Sequence, residues 1–445
     1  MIEIRAVGGY NEVGKNMTAI KIDDEVVIID MGLHMESYIK YTEEDEDIRN
    51  ISAAELLKVG AIPDDSVIKD WKGSVKAIIP THAHLDHVGA LIFLANKYKA
   101  PIVCTPFTRE VIRSISKDEG IKLKNNIKTL NVNSSYNISK NIKIEFINMT
   151  HSTPQTVMVA LHTRHGIVLY ANDFKFDNHP IIGKKPNYKR LKELGKEGVL
   201  CAIVDCTRAK RSVKTPSETV AKEMLRDVML GTDSTNKAVI ITTFSSHLAR
   251  LKSIVEFGKK MNRKIVFLGR SLAKYTKAGE NIGLVKFSKE VEIVKFGKQI
   301  KKKLKKIETD GREKYLMVVT GHQGEPKATL SKIADKVLPF KLYSEDHIIF
   351  SCTVIPSPTN IENRKILEDK LKRYGVRIFR DIHVSGHAAR EDLRDLINLV
   401  EPKNLIPAHG DYSMKDAFVE LAMDKGYKVG KNIHILKDGG KLKLA

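Results

Sequence analysis

Short apolar runs broken by turn residues fill the first two hundred positions. "EIRAVG", "MTAIKI" and "EVVIID" alternate or run apolar over strand-like lengths. "VKAIIP" reads as a buried strand, followed by "THAHLDH" and the helix-like "VGALIFLANKY". "IKIEFINM", "VMVALHT" and "GIVLYAND" then predict three closely spaced strands. From about residue 209 helix and strand patterns take turns: "SETVAKEMLRDVM" helical, "KAVIITT" strand, "HLARLKSIVEFGKKM" helical, "KIVFLG" strand, then strands at "KYLMVVT", "HIIFSCT" and "VRIFR". That alternation predicts a parallel sheet wound on both faces. "NLIPAHG" and strands around "VGKNIHILKDG" return to the earlier pattern. The fold class is therefore α/β, with one strand-rich domain, residues 1–208 and 378–445, interrupted by an inserted domain, 209–377. Neither an internal repeat nor a low-complexity linker is evident.

Composition narrows the class. The 445 residues, 42% hydrophobic and 29% charged, have the balance of a folded soluble protein. No run reaches the roughly 18 apolar residues of a membrane span, and the N-terminus lacks a signal-peptide layout, which predicts a cytoplasmic protein without a membrane partner. Four cysteines form no CxxC pair and lie in or beside apolar runs, as reduced core cysteines do. The formal net charge of +21 is spread along the chain and favours a polyanionic partner, nucleic acid above all. "KQIKKKLKK", 298–306, is read as a solvated helix face.

The stretch "THAHLDH" gathers His82, His84, Asp86 and His87 at the end of a strand, where loops carry chemistry. In extended chain, side chains at i and i+2 project together, so His82 and His84 can converge on one ion. Asp86 and His87, at the start of the next helix, point elsewhere. One loop thus offers ligand pairs to two neighbouring positions, whereas Asp86 as a mere helix N-cap would leave the histidines without purpose. Further ligands should stand at other strand ends. His151 in "NMTHSTP", Asp173 in "VLYANDF" and His409 in "LIPAHGD" do so, and the two oxygens of Asp173 allow it to bridge. His162, His165, His179, His347 and His434 are read as surface residues.

These residues resemble the metallo-β-lactamase hydrolases. With "AIVDCT", "HVSGHA" and the closing "PAHG", the chain is similar to their β-CASP nuclease branch, and "GGYNEVGKN" and "TGHQGEP" look most like the archaeal type of ribonuclease J. The resemblance implies an αββα sandwich with an inserted β-CASP domain. It assigns His82, His84 and His151 to one metal, Asp86, His87 and His409 to a second, and Asp173 to both. Asp205 would support the site through a hydrogen bond, and Asp30 would brace the histidine loop. Gln155 stands where bacterial relatives usually have an aspartate, and "AND" replaces their "TGD". Their additional C-terminal domain is not expected here, so a homodimer is an expectation from the archaeal type alone.

Two divalent ions, zinc first and manganese second for a thiolate-free donor set, suit phosphodiester hydrolysis. Asp86, Asp173, His387 and Asp205 are the expected catalytic groups, with His387 as general acid or phosphate stabiliser. Ligands of open parallel sheets bind beyond the carboxyl ends of the strands. That points to Ser245, Ser246, His247 and Arg270 for a terminal 5′-phosphate, with His383, Ser385 and His387 as further substrate contacts. The resemblance, and not any spacing, implies processive 5′ to 3′ exonucleolytic decay of single-stranded RNA, preferring a 5′-monophosphate and releasing nucleoside 5′-monophosphates. RNA-decay or ribosome-associated proteins are the expected partners. Alternatives are an endoribonuclease of the messenger 3′-end-processing type, although such archaeal relatives carry RNA-binding modules ahead of the nuclease; a DNA-directed β-CASP nuclease; an idle RNA-binding scaffold; and, least fitting, a small-molecule lactamase.

Overall fold

The computed structural model describes residues 1–44 and 51–444, which divide into two compact units. The first comprises Met1–Asn178, Gly183–Thr215 and Ser385–Ala445; the second comprises His179–Ile182 and Pro216–Val384. These borders fall later than the expected 208/209 and 377/378, for a physical reason. Residues 211–215 are tied to the first unit: Thr215 N donates to Asp392 at 2.7 Å, and Arg390 N to the Arg211 carbonyl at 3.0 Å. Arg377–Phe379 extends the sheet of the second unit, and Ser351 Oγ donates to the Ile382 carbonyl at 2.9 Å.

Two sheets of seven and six strands make the first unit. In the first, Val75–Ile79 runs parallel to Glu25–Ile29 and to Ile102–Cys104, which is parallel in turn to Ile127–Thr129. In the second, Gly166–Ala171, Val199–Asp205 and Leu405–Ala408 lie side by side and parallel. Their inner faces share one core, in which Ile4, Ile20, Val27 and Ala77 of one sheet meet Phe146, Val168, Ile203 and Ile406 of the other. The outer face of the second sheet is covered by Tyr188–Glu197, Arg390–Val400 and Tyr412–Asp424, whose apolar stripes supply Leu191, Leu396 and Phe418. This is the expected αββα sandwich. Central strands such as "VLCAIVD" run apolar without alternation because both faces are covered.

The second unit is built on a six-stranded sheet in which every neighbouring pair is parallel, as the alternating pattern predicts. "KQIKKKLKK" falls on the helix Gly297–Asp310 with Lys301, Lys302, Lys305 and Lys306 exposed. Two sequence expectations fail. Residues 429–433 make only isolated bridges, and the closing strand is Lys441–Leu444. His347 is buried in the strand His347–Phe350, its ring against Phe379, and is not a surface residue. All four cysteines are buried and unpaired. Among the described residues no helix is long and apolar enough to cross a membrane.

Candidate metal centre

Every expected ligand of the first unit arrives from the carboxyl end of a strand or the loop after it. His82, His84, Asp86 and His87 follow Val75–Ile79, His151 follows Lys143–Asn148, Asp173 follows Gly166–Ala171, and His409 follows Leu405–Ala408. Asp30, Asp173 and His409 all have left-handed backbones, with φ of 60°, 48° and 56°. For residues other than glycine that conformation costs energy and concentrates at functional sites. It turns each side chain sharply off its strand end.

The expected ligands converge in two groups, His82, His84, His151 and Asp173, and Asp86, His87, His409 and Asp173, and a third group of donors, Asp173, Asp205 and His387, adjoins them. Within each group the donor atoms lie within 4.8 Å of one another. Asp173 divides its oxygens between the first two. Its Oδ2 lies 3.5 Å from His82 Nε2 and 3.3 Å from His151 Nε2, while its Oδ1 lies 3.2 Å from His87 Nε2 and 3.5 Å from His409 Nε2. Asp86 Oδ2 stands 3.7 Å from both His87 Nε2 and His409 Nε2. Asp86 is not the cap of its helix: His84 holds the N-cap position of Leu85–Val88, without a side-chain capping bond.

Surrounding groups set which nitrogen of each ring faces inward. Asp30, fully buried, accepts from the Thr81 amide at 2.8 Å and from His87 Nδ1–H at 2.8 Å. Thr81 Oγ1 donates to Asp30 at 3.0 Å and accepts from His82 Nδ1–H at 3.0 Å. His151 Nδ1–H donates to the Gly386 carbonyl at 2.8 Å, and His409 Nδ1–H to Asn16 Oδ1 at 2.8 Å. Each Nε2 of these rings is thus turned toward the cluster; burial lowers the His87 pKa, but Asp173, Asp30 and Asp86 outweigh it and raise it well above the usual value, so there Nε2 carries a proton that a bound cation would displace. Asn16 also donates from Nδ2 to the Asp86 carbonyl at 3.0 Å, so one side chain braces both ends of the second group.

Chemistry of the donor set fits divalent cations. Asp173 Oδ1 and His409 Nε2 are buried without a hydrogen-bond partner, at the centre of a ring of further donors. Orphaned buried polar atoms are costly unless something completes them. Burial, with neighbouring imidazoles, holds His82, His84 and His151 well below the usual histidine pKa. They are thus kept in the neutral, ligating form. Burial also opposes charge on Asp173, but His87, His409 and His387 outweigh it and keep the carboxylate ionised.

His387 differs from the other rings of the cluster. Its side chain is 24% exposed, against 1% or less for His82, His87, His151 and His409. Nδ1 lies 2.8 Å from Asp205 Oδ2, and Nε2 faces Asp173 Oδ2 at 3.9 Å. Burial lowers its pKa, but Asp173 and Asp205 raise it further, to about 9. Asp205 itself is fixed by the Thr207 amide at 2.7 Å and by the Thr207 hydroxyl.

Three family descriptions match successive stretches: "Beta-lactamase superfamily domain" over residues 66–186, "Ribonuclease J, beta-CASP domain" over 236–368, and "Zn-dependent metallo-hydrolase RNA specificity domain" over 373–436. Ribonuclease J of Methanocaldococcus jannaschii is 44% identical over 98% of this chain and 98% of its own length. The chain belongs to the ribonuclease J family. Ribonuclease J of Pyrococcus abyssi is likewise 44% identical, over 99% of this chain and 96% of its own length, and ribonuclease J 1 of Streptococcus pyogenes is 32% identical over 100% of this chain and 74% of its own. A crystal structure of an Enterococcus faecalis protein of unknown function aligns over 100% of both chains with a TM-score of 0.63 at 16% identity, a likeness of fold alone.

Other expected residues divide between the units. Ser385 and His387 lie in the first, where Ser385 Oγ accepts from the His387 amide at 3.1 Å. Ser245, Ser246, His247, Arg270 and His383 lie in the second. Ser245 Oγ meets Ser271 Oγ at 2.9 Å, Ser246 is buried, and Arg270 is exposed as the first residue of Arg270–Asn281. His247 departs from the expectation of a ligand contact. It is buried, its Nδ1 accepts from the Arg250 amide at 3.3 Å, and its Nε2 faces Glu218 at 3.3 Å. Asn16, Thr81 and the Gly386 carbonyl position ligands without having been singled out in the sequence. Gln155, with φ 56°, accepts from the Phe107 amide at 2.8 Å and so anchors a helix start.

Proposed function

We propose that this chain is a metal-dependent ribonuclease that degrades single-stranded RNA from the 5′ end, prefers a 5′-monophosphate and releases nucleoside 5′-monophosphates. The observation that carries this reading is the pair of donor groups sharing Asp173, with His387 and its Asp205 partner on the more exposed side. His82, His84 and His151 would hold one ion and Asp86, His87 and His409 the other, zinc before manganese. Ions held there would acidify water and neutralise charge on a phosphoryl oxygen.

His387 has its own task. Asp205 accepts from Nδ1–H and stabilises the imidazolium, so Nε2–H is the proton available to the leaving 3′-oxygen. Ser245, Ser246 and Arg270 are assigned to the terminal phosphate, and His383 and Ser385 to phosphates along the strand. His247 is reassigned to holding the loop that carries the two serines. A cytoplasmic homodimer working with RNA-decay or ribosome-associated proteins completes the reading.

The test is product analysis on one RNA bearing a 5′-monophosphate, 5′-triphosphate or 5′-hydroxyl, labelled separately at each end, with zinc or manganese supplied. Mononucleotides released first from the 5′ end, fastest with monophosphate, are the expected outcome. Internal fragments indifferent to the 5′ group would replace this reading with an endonuclease.

A further inference from the structure

On the first unit, at the far end of the sheet from the histidine loop, lies a cavity of about 560 Å³. Arg113, Ser116, Lys117 and Gly120 line one side and Lys122 and Asn126 the other, and no carboxylate is among the lining residues. Its position follows from topology. The helix Pro106–Asp118 leaves the carboxyl end of Ile102–Cys104, the end on which the metal ligands gather, and returns to the start of the parallel strand Ile127–Thr129. Its 13 residues place the cavity about 20 Å from the metal-bearing end at 1.5 Å per residue.

The charge here is only partly compensated. Among the described residues, Lys117, Lys122 and Lys124 enter no ion pair, and Arg113 reaches only Glu110, at 3.7 Å with its own side chain 59% exposed. The walls are held firmly. Ile121 N caps the helix on the Ser116 carbonyl at 3.0 Å, Ser116 Oγ donates to the Ile121 carbonyl at 2.5 Å, and Asn125 Nδ2 donates to the carbonyls of Tyr98 and Ala100 at 2.9 and 2.8 Å.

We propose that this cavity is an RNA-backbone exosite in which Arg113, Lys117 and Lys122 hold phosphates of the substrate strand away from the metal centre. The proposal rests on the ribonuclease reading and adds to it a contact that only a long strand can make. Such a contact retains the RNA between cleavage events without touching the chemistry.

The test compares the wild type with Arg113→Ala/Lys117→Ala/Lys122→Ala on an RNA of about 30 nucleotides and on a trinucleotide, over a range of salt. A control, Lys301→Ala/Lys302→Ala/Lys305→Ala, removes the same charge from the exposed face of Gly297–Asp310. In the cavity variant KM for the long RNA should rise about tenfold, with kcat and the trinucleotide constants unchanged. The dependence of log affinity on log salt should flatten by about 2, for three phosphates at about 0.7 each. An equal effect in the control, an equal loss on the trinucleotide, or no effect on the long RNA would overturn the exosite. Anisotropy titrations of chelated protein with the long RNA decide the cavity separately: a wild type that binds RNA but cleaves neither substrate would sink the ribonuclease reading and leave the cavity judged on binding alone.

Discussion

Asp205 presents one oxygen to each of two donors, His387 Nδ1 at 2.8 Å and the amide of Thr207 at 2.7 Å, and thereby fixes the direction in which the His387 ring can pass a proton. Asp205→Asn preserves shape but not that pattern. The asparagine oxygen would stay with the two Thr207 donors, leaving its NH2 facing Nδ1. His387 would then have to accept at Nδ1 and carry its proton at Nε2 without a counter-charge. Loss of a correctly supported acid costs about 10²- to 10⁴-fold. The expected result is a fall in kcat of at least about 10²-fold, with metal content and KM near wild type. Metal loss on elemental analysis would show instead that Asp205 holds the centre together.

Gly386 tests the support of His151. A Cβ there would stand 2.8 Å from His151 Nδ1 and 3.0 Å from the Ser152 amide, both held in a packed wall. Gly386→Ala should displace the ring that donates to the Gly386 carbonyl and weaken metal affinity about 10- to 100-fold, the usual range for a lost supporting contact. Gly73→Ala is the control, because its Cβ would meet nothing within 4 Å. Chelator competition reads both, and equal affinities in the two variants would dismiss the steric argument.

The legible part of the site was its donor set. His82, His84, Asp86 and His87 share one strand end, and His151, Asp173 and His409 sit at three others, so strand boundaries offered them as candidates, while their division between two positions came from the family resemblance. Asn16 and Thr81 were not legible, because Asn16 meets the ring of His409 and Thr81 the carboxylate of Asp30, each supplied by a distant segment. Spacing along the chain carries no trace of such a meeting. The same limit explains His347 and His247. A histidine in "EDHIIF" reads as exposed until Phe379 is placed over it, and one in "SSHLAR" reads as a phosphate contact until its ring is seen to cap Leu248–Lys260 and face Glu218. The domain borders slipped by a few residues because the connecting segments hydrogen-bond to whichever unit they leave, a choice invisible in hydropathy.

Arg250 supplies a stability prediction inside the second unit. It is fully buried, pairs with Glu218 through Nε at 2.6 Å and Nη2 at 2.9 Å, and donates from Nη1 to the carbonyls of Ser351 and Ile382, each at 3.0 Å. One guanidinium thus ties the helix start near the entry of this unit to the segments that follow His347–Phe350 and Arg377–Phe379. Arg250→Met should destabilise by about 3–5 kcal/mol, because Glu218 would remain buried and uncompensated. Arg250→Met/Glu218→Gln should recover part of that loss. Burial raises the Glu218 pKa, but His247 and Arg250 outweigh it and hold the group well below the ordinary glutamate value. Its contribution is therefore complete above about pH 4.5 and lost as pH falls toward the folded pKa, where the unfolded chain binds more protons. Thermal melts of metal-free protein between pH 6 and 3 should show a shallower decline in the double variant, and parallel curves would refute the assignment.

The sharing of Asp173 makes the two donor groups separable by stoichiometry. His84 belongs to one group and His409 to the other, while Asp173 offers Oδ2 to the first and Oδ1 to the second. Removing a terminal ligand should empty or weaken its own group, whereas removing Asp173 should disable both and leave the other six ligands crowded without a cation. His84→Ala and His409→Ala should each retain about one tightly held ion per chain and Asp173→Ala about none, against about two in the wild type, since a closed site uses four donors, a lost histidine leaves only its own group short, and a lost Asp173 leaves both short. All three should lose hydrolysis of RNA. His84→Ala should still bind RNA, because affinity resides in the dispersed positive charge and not in the ions. Elemental analysis after gel filtration supplies the counts. Two ions retained in His84→Ala would remove that ring from the shell, and complete loss in both histidine variants would mean that the positions fill only together.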